Sequence, residues 1–209
     1  MTKSELRTQI KEKISSLSGN SLANESKLIC SKIINSKDFK DSSTLLAYMP
    51  LKDEVNITPV IFDALKNNKA VFLPRIVPGT NNMEFYRYTA DTHTAQGSYG
   101  ITEPEADESQ NFLNYLKNGS PAATSTNQTL MLVPGRAFTK EGKRLGRGKG
   151  FYDIYFSRLA ALGFSEGIKK SGVCFACQLV ADIPTTPDDV LMDTVVSTSS
   201  TTAHTISGE

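Results

Sequence analysis

The residues from Pro134 to Asp153 read PGRAFTKEGKRLGRGKGFYD, and their types and spacing could do chemistry on an anion. Between Arg136 and Gly150, Arg136, Lys140, Lys143, Arg144, Arg147 and Lys149 face a single acid, Glu141, so those residues carry +5 in a chain whose net charge is +1. The positive charge is therefore concentrated rather than general. Gly146, Gly148 and Gly150 alternate with Arg147 and Lys149, which lets the backbone adopt φ > 0 and turn several N–H groups into one concavity. A solvated basic loop with glycines for flexibility has the same local composition. The spacing is not that of a Walker A loop, because Gly148-Lys149 is followed by Gly150 and the position five before Gly148 is Lys143. Nor is it a dinucleotide or kinase fingerprint.

The flanking elements support a phosphate reading. Thr129 to Val133 is a short apolar run ended by Pro134-Gly135, as in a buried strand. Phe151 to Leu162 has apolar residues at helical spacing, with Gly163 where a C-terminal cap belongs. A helix starting directly after the loop would turn its free N–H groups and positive end toward a bound anion.

Further from the loop, Leu6, Ile10, Ile14 and Leu17 form the buried stripe of a first helix, opened by a Thr2-x-x-Glu5 capping box. Lys3 falls inside that stripe and Arg7 on its edge, so two cations either face the protein body or snorkel to water from a fraying end. A second helix is expected over Leu22 to Ile34, a strand over Thr44 to Met49, a helix from Pro59 with Thr58 as its cap, and strands over Ala70 to Leu73 and Met83 to Tyr88. Asp107 to Leu116 reads as a short helix, and Gly119 to Asn127 as a polar linker. Gly172 to Cys177 reads as another strand, and Val195-Val196 as the last. Strands alternating with helices predict an α/β fold, a mostly parallel sheet with helices on both faces in a Rossmann-like three-layer sandwich. We expect one domain over residues 1–196, and a disordered Ser/Thr-rich tail over 197–209.

Composition excludes several classes. At 209 residues and 39% hydrophobic, the chain is long enough for one well-buried core, and its apolar runs are too short to span a bilayer. The N-terminal residues lack a signal-peptide core, and a cytoplasmic location is expected. Cys174 and Cys177 have the spacing of a redox or zinc pair, but they lie in an apolar run and His93 and His204 are isolated, so core packing is the expectation. An RNA-binding module would interleave aromatics with its cations; the basic loop has only Phe138 among them, and the remaining residues sum to about −4.

The stretch Gly142 to Asp153 resembles the signature of the 5-formyltetrahydrofolate cyclo-ligases, also called methenyltetrahydrofolate synthetases. The resemblance extends to the Lys3/Arg7 helix, the Asp53-Glu54 loop, Tyr99-Gly100-Ile101-x-Glu103-Pro104, and Gln178 to Pro184 leading into Asp189 and Asp193. It implies cyclisation of 5-formyltetrahydrofolate to 5,10-methenyltetrahydrofolate, with ATP as co-substrate and Mg²⁺ as cofactor. In the accepted scheme the formyl oxygen attacks the γ-phosphorus, N10 closes the ring on the N5-iminium phosphate, and phosphate departs. No activated serine or histidine is needed, since phosphoryl transfer rests on positioning and charge stabilisation.

The resemblance also implies residue roles. Lys3 and Arg7 would bind ATP together with Arg144, Leu145, Gly146, Arg147, Gly148, Lys149, Gly150 and Tyr152. Lys149, Arg147 and Tyr152 would act on the reacting groups. Met49 and Glu54 would contact the folate, along with Arg147 to Phe151, and Glu54 would take the pterin. Asp153 and Asp189 match magnesium positions; as a first-turn acid, Asp153 also suits the helix dipole. Small-molecule substrates, a monomer, and no nucleic-acid or membrane partner are expected. The alternatives are a non-catalytic polyanion or RNA module, or another ATP-dependent ligase or kinase on the same fold. Three positions depart from the family pattern: Arg136 replaces an apolar residue, Thr139 an acid, and Phe151 the commoner tyrosine.

Overall fold

The computed structural model describes residues 1–97, 100–119, 129–186, 189–199 and 201–203. The polar linker expected over Gly119 to Asn127, apart from Gly119 itself, lies outside them, as do Tyr99 and the last six residues. One sheet contains the seven strands β1 (Thr44–Leu46), β2 (Ala70–Ile76), β3 (Met83–Tyr88), β6 (Thr129–Pro134), β9 (Ile168–Val173), β10 (Thr194–Val196) and β11 (Thr201–Ala203), while β4 (Thr94–Gln96) and β5 (Thr102–Pro104) form a separate antiparallel pair. The strand order of the large sheet is β11-β10-β9-β6-β1-β2-β3. The five inner strands are mutually parallel, and antiparallel β3 and β11 close the two edges. This is the mixed α/β, mainly parallel architecture expected from the alternation of elements.

Side chains on the inner strands alternate between two buried faces, as a period of two requires. Leu45, Val71, Leu73, Leu130 and Leu132 pack against Ile29 and Ile33 of α2 (Gly19–Asn35), Phe39 of α3 (Lys37–Asp41) and Val60, Ile61 and Ala64 of α4 (Thr58–Lys66). Leu46, Phe72, Met131 and Val133 meet Phe112 and Leu116 of α5 (Phe112–Lys117) and Tyr155, Phe156 and Leu159 of α6 (Phe151–Ala161). α1 (Lys3–Ser15) joins neither layer. Its stripe of Leu6, Ile10 and Ile14 packs on Ala137 and Leu145 of the two-stranded ribbon of β7 (Ala137–Phe138) and β8 (Arg144–Leu145), and on Ile183 from the later chain. The first helix is therefore built onto the base of the glycine loop.

The structure corrects several local expectations. β2 runs through Pro74 to Ile76 rather than stopping at Leu73. Pro74 lies beyond Phe72, the last residue paired with β1, so its missing N–H costs no bond to that strand. The expected strand over Gly172 to Cys177 is displaced: β9 ends at Val173, and Ala176–Gln178 forms a turn of 3₁₀ helix. The expected helix over Asp107 to Leu116 splits at Asn111, whose side chain caps α5. Thr58 is the first residue of α4 rather than its cap: Ile57 holds the cap position with no side-chain bond, and the Asn56 side chain accepts the Thr58 N–H. The tail expected to be disordered from Ser197 instead begins in order. Lys32 donates to the carbonyls of Ser197 and Thr198, Thr198 bonds Glu25, and residues 201–203 pair with β10. Low apolar content misled here, because polar bonds from α2 and a strand ladder do the ordering. No helix among the described residues is long and apolar enough to cross a membrane.

The ribbon is seated by one ring. Phe138 is fully buried between two glycines: a Cβ on Gly172 would lie 2.5 Å from its Cε1, and one on Gly135 2.7 Å from its Cζ. A fully buried ring in close contact with both glycines cannot shift cheaply, so Gly172→Ala should cost about 1–3 kcal/mol by overpacking. A lowered urea midpoint, partly restored by adding Phe138→Leu, is the expected result; an unchanged midpoint would refute this seating.

Candidate active site

The chain leaves β1 toward β2 on one side, whereas β6 leads to β9 and β10 on the other. The strand order thus reverses between neighbours β1 and β6, and a crevice opens beyond their carboxyl ends. The loop after β1 holds Asp53 and Glu54; the chain after β6 holds the ribbon and the glycine loop. Between them lies a cavity of about 410 Å³. Met49, Leu51, Ile76, Met83 and Ile101 give it apolar walls, and Arg144, Arg147 and Lys149 supply cations. Few polar groups on a mostly apolar lining is the usual composition of a small-molecule site.

The cations are held differently. Arg144 is buried, donates to Asp153 Oδ1 at 2.7 Å, lies 5.3 Å from the Tyr152 ring centre, and keeps a buried Nε with no partner among the described residues. Arg147 reaches across the cavity mouth to Glu54 Oε1 at 2.9 Å and to Asp53. Arg136 also pairs with Asp53. Burial pushes the Asp53 carboxyl up, but the bonds from Arg147 and Arg136 outweigh it and hold the group below its ordinary value. Lys149 lines the cavity, is exposed, and has no ion-pair partner among the described residues. Gly148 (φ 101°) and Gly150 (φ 74°) take the left-handed backbone expected of the loop; Gly146 does not, and instead packs closely on Arg144.

Gly146, Gly150, Phe151, Tyr152 and Asp153 join the cavity lining, and the first turn of α6 carries no side-chain cap. Burial pushes the Tyr152 hydroxyl far up, with the Glu54 charge adding to it, so it remains protonated. Glu54 also accepts the Leu51 N–H at 3.0 Å. Outside the lining stand Lys3, Arg7, Leu145, Gly148 and Asp189. Leu145 is a core residue under α1. Arg7 Nε donates to the Gly146 carbonyl at 2.9 Å, with its guanidinium against Gly148, so it braces the loop from behind. Lys3 pairs with Asp189 at 2.7 Å, and Asp189 Oδ2 also accepts the Thr186 N–H. The two expected metal carboxylates thus each hold a cation, and no cluster of three or more potential metal ligands exists among the described residues.

A model of the 5-formyltetrahydrofolate cyclo-ligase family matches residues 1–198. The chain belongs to that family. Among its curated relatives, a probable 5-formyltetrahydrofolate cyclo-ligase of Caenorhabditis elegans is 31% identical over 197 residues, covering 93% of this chain and 91% of the relative. The Mus musculus 5-formyltetrahydrofolate cyclo-ligase is 28% identical, covering 91% of each. The NMR structure of Aquifex aeolicus 5,10-methenyltetrahydrofolate synthetase superposes with a TM-score of 0.77 at 29% identity, covering all of this chain and 97% of the other.

Measured against this cyclo-ligase signature, some lining residues carry no signal in the sequence. Pro74, Ile76 and Met83 reach the cavity from β2 and β3 through sheet geometry alone. Glu103 of β5 (Thr102–Pro104) belongs to a block that resembles the family, yet nothing in the sequence shows that its carboxyl is buried in the cavity wall. It accepts the Ile76 N–H at 3.2 Å, and burial raises its pKa.

Asp53 gives a pH dependence with a definite sign. Its folded pKa lies below the unfolded value of about 3.9, so its contribution to stability is complete above about pH 4 and is lost as pH falls through the folded value. Urea midpoints measured from pH 7 to 3 should fall less steeply below pH 4 in Asp53→Asn than in the unaltered protein; equal slopes would contradict this.

Proposed function

We propose that this protein cyclises 5-formyltetrahydrofolate to 5,10-methenyltetrahydrofolate, cleaving ATP to ADP and phosphate through an N5-iminium phosphate. The observation that carries the reading is one cavity with apolar walls, the Glu54 carboxylate and the cations Arg144, Arg147 and Lys149, in a chain of the cyclo-ligase family. A flat, partly reduced ring system suits the apolar walls, and Glu54 would accept hydrogen bonds from its N–H groups. Lys149, with no competing ion pair, would meet the transferring phosphoryl group, and the N-terminal N–H groups of α6 would add to it. Arg144, with an unpartnered buried Nε, and Arg147 would bind the triphosphate and the phosphorylated intermediate.

The substrate supplies both nucleophiles, so this chain's work is orientation, water exclusion and charge stabilisation. The Tyr152 hydroxyl remains a proton donor at neutral pH, fit to bond an oxygen of the reacting groups. Lys3 and Arg7, carried on α1, would add positive potential behind the loop. Carboxylate oxygens are the donors a hard divalent cation prefers, and Asp153, which lines the cavity, fits such an ion bound jointly with substrate phosphates. Asp189, fixed beside Lys3, would join it. A bound Mg²⁺ would neutralise phosphate charge. We infer one catalytic domain over residues 1–196, acting as a monomer on small molecules in the cytoplasm.

Absorbance at the methenyl band tests the reaction: it should grow when protein, 5-formyltetrahydrofolate, Mg²⁺ and ATP are mixed, and not when ATP is omitted. Reduced-folate binding without band growth would favour a relative lacking turnover; ATP cleavage without folate binding would favour another ligase or kinase. For Lys149→Ala, loss of a charge-assisted contact worth about 1.5–3 kcal/mol should lower kcat/KM by at least about tenfold with the fold retained. An unchanged kcat/KM would remove Lys149 from the phosphate site.

A further inference from the structure

The proposed reaction assigns Arg147 to phosphate and Glu54 to the folate ring, yet in this structure the two are bonded to each other, Arg147 Nε to Glu54 Oε1 at 2.9 Å. Each ligand must therefore draw its residue away from the other. Asp53 takes the rest of the Arg147 guanidinium: Nη2 bonds Oδ1, and Nη1 lies 3.4 Å from Oδ2. The same carboxylate also holds Arg136, the position that departs from the apolar family pattern.

We propose that Asp53 and Arg136 form a holding site for Arg147 that couples nucleotide binding to folate binding. The inference rests on the ATP-dependent folate reading above. Two features make Arg147 the mobile partner and Arg136 the fixed one. Arg147 lies between Gly146 and Gly148, with its side chain one-third exposed. Arg136 has its N–H on the Leu145 carbonyl at 2.6 Å, its own carbonyl on the Gln178 amide at 3.1 Å, and a side chain only 13% exposed. When Arg147 moves to phosphate, Arg136 stays on Asp53, so the loop that carries Glu54 is not left with an uncompensated carboxylate.

Arg136 and Arg147 share one carboxylate and repel each other, so Arg136 weakens the hold on Arg147. Without Arg136, Asp53 would bind Arg147 more firmly; without the Asp53 charge, Arg147 would be held by Glu54 alone. Both ligands need the same released state, so each favours the other's binding, and by linkage the effect is reciprocal. The two positioning residues thus act on the coupling in opposite senses. A purely structural role would loosen the 51–56 loop in either variant and move both the same way. A general change in local charge would alter nucleotide affinity but not the coupling.

The test is the dissociation constant of 5-formyltetrahydrofolate measured with and without a saturating non-hydrolysable ATP analogue and Mg²⁺. The unaltered protein should bind folate at least about fivefold tighter with the analogue, within the usual span of coupling between sites. In Asp53→Asn the ratio should fall below the unaltered value but stay above one, because the Arg147–Glu54 bond remains, and in Arg136→Leu it should rise above the unaltered value. A ratio of one in the unaltered protein with both ligands bound, or both variants shifting it in the same direction, would overturn the holding site and leave the proposed reaction standing. Absence of folate binding in either condition would overturn both. If Asp53→Asn does not fold, Arg136→Leu decides alone, since an unchanged or lower ratio there contradicts the proposal.

Discussion

Like charge gathered in one short loop has to be compensated before the chain can fold around it. The stretch from Arg136 to Gly150 has six cations, and among the described residues four of them are paired with acids: Arg136 with Asp53, Lys143 with Asp182, Arg144 with Asp153, and Arg147 with Asp53 and Glu54. The partners come from the loop after β1, the first turn of α6 and the segment after the 3₁₀ turn, so compensation ties three separate parts of the chain to the glycine loop. Lys149, which faces the cavity, stands apart from those pairs. The folded chain neutralises most of its self-repulsion while leaving positive charge where an anion can reach it.

That arrangement depends on the sheet. The reversal of strand order between β1 and β6 sends an acidic loop and a basic loop out from neighbouring strands on the same edge of the core. Phe138, packed against Gly135 and Gly172, fixes the height of the ribbon over β9, and α1 covers the ribbon's other side through Leu6, Ile10 and Ile14. Lys3 and Arg7 are brought to Asp189 and to the back of the glycine loop because the apolar stripe beside them is buried against the ribbon. Their inward direction follows from packing, and electrostatics then uses it.

Much of this was legible beforehand, for physical reasons that can be named. Hydrophobic period exposed α1, α2, α6 and β3, since a buried face leaves a repeating mark in the sequence, and β6 showed as a short apolar run closed by Pro134-Gly135. The glycines at 148 and 150 and the cap at Gly163 were legible because few other residues take φ > 0. Expectations failed where a tertiary partner replaced a local signal. Pro74 sits inside a strand because β1 is too short to require its N–H, and Ser197 and Thr198 are ordered by Lys32 and Glu25 of a distant helix. The apolar run at Cys174 and Cys177 reads as a strand, but β9 stops at Val173 and Gln178 instead turns back to accept the Phe175 N–H; neither cysteine is in a disulfide.

By itself the sequence determined the class of fold, the concentration of charge in a glycine-rich loop, and the family, because these depend on residue types at fixed separations along the chain. Only the tertiary structure decided which charges are spent on one another. Asp53 and Arg147 are 94 residues apart in sequence, Lys3 and Asp189 are 186 apart, and no local pattern links them. The buried Glu103 carboxyl and the Ile76 and Met83 walls are likewise products of strand order. Contacts of that kind are set by which strands become neighbours, and strand neighbourhood is a property of the whole packed sheet.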